Sequence, residues 1–166
     1  MQFSIGDIAS TFSIVAVFIA IVALVIESRR DRLALQTDLL LRLDEKLHAT
    51  GFKSLRRAAA QKLLVDERPN YELEEVLELL STIAFLYERK ALDSDLTYKQ
   101  FSYWIDRYWV CGKSYVVETS RKYDPLSHKT LEKVAEIFIK TELRSGYPPF
   151  SDEVIQAFLQ DEAHLP

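Results

Sequence analysis

Between Ile8 and Ile26 no residue is charged, and from Ile14 to Ile26 every residue is Ile, Val, Ala, Leu or Phe. At about 1.5 Å per residue such a helix covers roughly 28 Å, close to the hydrocarbon thickness of a bilayer. A buried core helix is rarely apolar on every face for so long. A cleaved signal peptide needs a basic leader and a small-residue cleavage site. Here Met1 to Asp7 carries no Lys or Arg, and the run ends in Leu24-Val25-Ile26-Glu27. The pattern therefore predicts a short external leader at 1–7 and a retained transmembrane helix at 8–26.

Beyond the run the pattern turns amphipathic. Leu33, Leu35, Leu39, Leu40, Leu43 and Leu47 fall on one arc of a helical wheel, with Asp38, Arg42 and Glu45 opposite. With no Gly or Pro between Asp7 and Thr50, a juxtamembrane helix over 27–50 is expected to leave the membrane directly and stop near Gly51. A second helix is expected over about Ser54 to Val65. A third follows Asn70 as N-cap, with Glu72, Glu74 and Glu75 in its first turns and Leu73, Val76, Leu77, Leu80, Ile83, Ala84 and Tyr87 at helical spacing. Asp93 or Ser94 can cap a fourth, aromatic helix. After a turn at Tyr123-Asp124-Pro125 come a helix over about Ser127 to Leu143 and a short terminal helix capped by Ser151. No strand alternation or internal repeat is present. The expected fold is all-α: one N-terminal transmembrane helix continuing into a cytoplasmic bundle of about five helices over 51–166, long enough to bury a core.

On the fourth helix, Tyr98, Phe101, Trp104, Ile105, Tyr108, Trp109, Cys111, Tyr115 and Val116 share one face, which reads as core rather than as a base-stacking or ligand cage. Tyr103, Val110 and Val117 repeat at sevens on the opposite side, beside Lys99, Arg107 and Arg121. A helix with two apolar stripes either lies inside the bundle or lends its second stripe to a partner.

Charge sets the orientation. Arg29, Arg30 and Arg32 follow the apolar run while the leader has no cation, so the positive-inside rule puts the N-terminus outside and the remainder in the cytoplasm, anchored to the inner membrane. A single cysteine and the lack of an Asn-x-Ser/Thr acceptor agree with a reducing compartment. Ser13, Ala16, Ala20 and Ala23, with Ala9, recur three and four residues apart, a spacing that allows helix pairing in lipid, although alanine is common in any span. Over the 166 residues, 21 Lys and Arg against 25 Asp and Glu give a formal charge of -4, which excludes a strongly basic nucleic-acid binder. Residues 27–63 hold nine basic and five acidic side chains, and residues 64–96 three basic and nine acidic. The first group suits an anionic lipid surface, or the two are complementary faces of one bundle.

The chain resembles a bacterial family of small proteins, a domain of unknown function with one N-terminal membrane helix and a helical cytoplasmic region. The residues carrying the likeness are the Ile14 to Ile26 span with its arginines, Leu86-Tyr87-Glu88-Arg89-Lys90 with Leu92-Asp93, and Phe101-Ser102-Tyr103-Trp104-Ile105-Asp106-Arg107-Tyr108-Trp109. It covers most of residues 8–140. The resemblance implies a fold and a membrane address, and brings no catalytic residues.

Chemistry-bearing patterns are sparse. Glu72-x-Glu74-Glu75-x-x-Glu78 has no accompanying Glu-x-x-His for a di-metal bundle site. His48, His128 and His164 stand apart from one another, Cys111 reads as a small core residue, and four glycines form no phosphate-binding or nucleophile motif. The expectation is a non-enzymatic, membrane-anchored module for protein-protein interaction, self-association included, with no catalytic residue, metal, cofactor, nucleic acid or small-molecule substrate. The alternative is a membrane-acting effector, or a subunit of a membrane complex, whose cytoplasmic domain senses a signal.

Overall fold

A computed structural model describes the backbone of residues 5–65, 71–148 and 150–166, and the side chains of the same ranges from residue 23 onward. The elements are α1 (Ile5–His48), α2 (Thr50–Leu64), α3 (Tyr71–Glu88), α4 (Ser94–Tyr115), a π-helical turn (Val116–Ser120), α5 (Arg121–Tyr123), α6 (Lys129–Arg144) and α7 (Asp152–Ala163). The fold is all-α. Among the described residues no helix is long and apolar enough to cross a membrane. Most of the apolar run, with Ser13, Ala16 and Ala20, lies outside the described side chains, as does Asn70. Ala23, Arg29, Arg30 and Arg32 are described and exposed on α1.

Two compact units divide the chain, residues 1–38 and 39–166. The second therefore begins inside the stretch read from sequence as a juxtamembrane helix, because Leu40, Leu43 and Leu47 are buried in its core. α1 ends at His48, where Ala49 turns extended at φ -60° and ψ 141°. Gly51 thus falls in the first turn of α2 instead of stopping α1.

Within residues 39–166, α2 packs on α3 and α7, and α4 on α3, α6 and α7, while α3 also meets α6. The expected periodic series of α3 is the centre of the core: Leu73, Val76, Leu77, Leu80, Ile83 and Ala84 are all buried. Gly112 of α4 faces Leu77 and Leu73, where an added Cβ would meet the Leu77 methyls at an ordinary contact distance of 3.4 Å. Asp93 caps α4, its Oδ1 accepting from the amides of Asp95 (3.0 Å) and Leu96 (2.9 Å). Ser151 holds the N-cap position of α7 with extended backbone but makes no side-chain capping bond, unlike the expectation from sequence.

Two helices end in the same Schellman geometry with different residues at the left-handed position. In α6, Tyr147 N–H donates to Glu142 C=O and Gly146 N–H to Leu143 C=O, with Gly146 at φ 86°. In α3, Ala91 N–H donates to Leu86 C=O and Lys90 N–H to Tyr87 C=O, but the residue at φ 56° is Lys90. A side chain there meets the steric cost that glycine avoids.

Candidate functional site

α4 carries most of the distinctive side chains. Of its expected core face, Phe101, Ile105, Tyr108, Trp109 and Val116 are buried, and Tyr98, Trp104, Cys111 and Tyr115 pack partly buried against them. Burial pushes the Cys111 thiol up to about 12, which leaves it protonated and unreactive at neutral pH.

The outward stripe is less uniform than its sevenfold spacing suggests. Tyr103 is 42% exposed, Val117 49% exposed, and Val110 half-buried. Tyr103 is also engaged within the fold: its ring lies 5.7 Å from that of Phe158 on α7, and the Arg107 guanidinium sits 4.0 Å over its face. Arg107 in turn stacks on Phe150 at 5.0 Å. Val117 falls in the π-helical turn that follows α4. Tyr123 and Leu126, just beyond, are strongly exposed.

Sequence reasoning missed a charged network inside the core. Arg56 of α2 sits in an apolar register with Phe52, Ala59 and Ala60, and Glu162 of α7 with Phe158 and Leu159; both are buried. Arg56 Nε donates to Glu162 Oε2 at 2.7 Å, its Nη2 to Oε1, and its Nη1 to the Leu47 carbonyl at 3.0 Å. Tyr108 donates its hydroxyl to Glu162 Oε2 at 2.7 Å. Burial alone disfavours the Arg56 charge, yet the Glu162 hydrogen bond and charge hold its pKa above the ordinary arginine value. Burial, and then the Glu162 charge, push the Tyr108 hydroxyl far up. The indole of Trp104 lies beneath Arg56 at 5.5 Å and edge-on to His48 at 5.3 Å. The signal available in the sequence was a lone charge at a core position of each helix.

A second cluster joins α3 to the loop before α6. His128, at φ 55°, places Nε2 3.0 Å from Glu74 Oε1 and Nδ1 2.7 Å from Ser81 Oγ, while Ser120 Oγ donates to Glu74 Oε2 at 2.9 Å. A carboxylate only accepts, so Nε2 carries the proton, and a neutral ring takes Ser81's hydroxyl hydrogen at Nδ1. The order of groups is that of a nucleophile, base and orienting acid. Ser81, however, lies mid-helix, where the backbone amides are committed to the helical ladder and none is free to receive a developing oxyanion. The arrangement fixes the loop between the π-helical turn and α6. Arg121 closes it from the other side, donating to Glu132 Oε2 at 2.7 Å and to the Ser127 carbonyl at 3.2 Å.

Asp106 of α4 is fully buried, and neither carboxyl oxygen has a hydrogen-bond partner among the described residues. Burial, reinforced by the Glu142 charge, raises its carboxyl from the ordinary 3.8 to about 8, so it is mostly protonated at neutral pH. Of the segregated charges, Lys62 and Glu72 meet at 2.8 Å, tying the basic segment to the acidic one within the bundle. No group of three His, Cys, Asp or Glu that could hold a metal occurs among the described residues. No family model, no curated protein and no solved structure matches the chain.

Proposed function

We propose that the chain is a membrane-anchored helical module, its bundle lying in the cytoplasm beneath the inner membrane and acting by assembly with protein partners, a second copy included, rather than by catalysis. The observation that carries this reading is the uncharged run from Ile8 to Ile26, followed at once by Arg29, Arg30 and Arg32. One helix, Ile5–His48, holds both that run and the leucines that enter the bundle core. Tyr103, with the exposed Tyr123 and Leu126, supplies apolar surface of the kind protein contacts bury.

Reporter fusions after Pro166 test the topology: a cytoplasmic-type reporter is active and an exported-type reporter silent. Carbonate extraction leaves the chain in the membrane pellet. Activity of the exported-type reporter, or release by carbonate, overturns the anchor. Assembly is read separately, by crosslinking in the native membrane. Tyr103→Glu with Val110→Glu removes the crosslinked species in a variant that keeps its helical circular dichroism, with a melting temperature lowered by loss of the Tyr103–Phe158 and Tyr103–Arg107 contacts. Unaltered crosslinking in the folded double variant overturns the α4 stripe as the contact.

A further inference from the structure

α7 follows α6 in the chain but packs chiefly on α2, with α4 beside it. The connection, residues 145–150, is exposed from Ser145 to Pro148 and passes through Gly146, at φ 86°, into the sequence Tyr147-Pro148-Pro149. A proline disfavours helical backbone in the residue before it, and consecutive prolines stiffen a chain in extended form. Extended, such a connection reaches about 20 Å. Its sequence favours carrying α7 away from α6 over a sharp return.

The hold of the bundle on α7 is selective more than greasy. Phe158, Leu159 and Glu162 are the buried side chains of α7, and one of the three is an acid. Arg56 of α2 grips Glu162 through both carboxyl oxygens, and Tyr108 of α4 donates to the same group. Alongside, Arg57 Nη1 donates to the Leu165 carbonyl at 3.2 Å and Gln61 Nε2 to the Ala163 carbonyl at 3.3 Å. Phe158 lies edge-on to both Tyr103 and Tyr108. The groove between α2 and α4 therefore asks for a helix with an aromatic ring and, four residues on, a carboxylate. Emptied, it would leave Arg56 buried without its counter-charge. A helix as short as α7 is in turn marginal alone in water. Neither half tolerates separation, so an α7 that leaves one groove is stable only in another of the same chemistry. A second copy of the chain supplies that groove with every contact unchanged; only the path of the connection differs.

We propose that two copies of the chain exchange α7, each placing Glu162 against the partner's Arg56. Tyr103 of the α4 stripe then meets the partner's Phe158, so the stripe borders the exchanged helix. The inference rests on the self-association proposed above and specifies its contact.

The test uses the full chain in mild detergent. Gln61→Cys with Ala163→Cys puts one thiol on each side of the groove, and a short bismaleimide bridges them; Cys111 stays protonated and unmodified. Exchange gives a covalent dimer on a denaturing gel, and Gln61→Cys alone gives none. A bridged monomer, while lysine-directed crosslinking still yields dimers, overturns the exchange and leaves self-association standing. Monomers by both reagents overturn both. A second experiment coexpresses Arg56→Glu and Glu162→Arg on differently tagged chains. Each variant alone sets like charges face to face in its groove, whether closed or exchanged with itself. The mixed exchanged pair restores opposite charges in both grooves, so it is recovered at least about tenfold over either variant's own dimer. No enrichment of the mixed pair overturns the proposal.

Discussion

Arg56 and Glu162, 106 residues apart in the chain, form a bidentate ion pair with both side chains buried, and so clamp α7 onto α2. A charge pair removed from water loses much of its Coulombic gain to desolvation, whereas removing one partner strands the other. Glu162→Ala is therefore expected to cost about 3–5 kcal/mol, seen as a large drop in the urea midpoint of the bundle. Arg56→Met with Glu162→Leu is expected to recover most of that loss, because no buried charge remains. A double variant no more stable than Glu162→Ala would show that the pair is a net source of stability.

The Tyr108 hydroxyl completes the same network. Tyr108→Phe keeps the ring, which packs edge-on against Phe158 at 5.1 Å, and removes one hydrogen bond to a buried carboxylate. The expected loss is about 1.5–3 kcal/mol, measured by equilibrium unfolding.

Asp106 makes stability depend on pH in a definite direction. Its folded carboxyl titrates near 8, while the unfolded chain releases the proton near 3.8. The folded state thus binds more protons across that window, so this residue lowers stability progressively as pH rises from about 4 to 8, with no further loss above. Asp106→Leu is expected to raise the melting temperature, with a gain of several degrees more at about pH 9 than at about pH 5. Equal gains at the two pH values would contradict the assignment.

Lys90 occupies the left-handed position that glycine fills after α6. Lys90→Gly relieves a steric cost of about 1–2 kcal/mol, partly offset by the greater freedom of glycine in the unfolded chain. A net gain of about 0.5–1 kcal/mol is expected, measurable as a melting shift of a few degrees. Gly146→Lys makes the converse test and is expected to destabilise.

Trp104 bridges α4 to the end of α1 through His48 and carries the Arg56 guanidinium on its face. Trp104→Ala is expected to cost about 3 kcal/mol or more by circular dichroism melting. Trp104→Phe retains a ring and is expected to lose less.

The all-helical character was legible in the sequence because a helix is a local object. Apolar residues recurring at three and four, as in Leu73 through Ala84, declare a buried face whatever packs on it, and Asp93 declares a start through bonds to residues two and three positions on. The same locality explains why the aromatic face of α4 was readable. What only the tertiary structure decided are relations between distant segments. The boundary at Asp38 depends on which leucines of α1 find the core. The Arg56–Glu162 pair, the Glu74–His128–Ser81 contacts and the burial of Asp106, without a hydrogen-bond partner among the described residues, depend on which faces meet, and periodicity carries no information about partners far along the chain. A charged side chain at a core register says that something must answer it; its answer is chosen by packing.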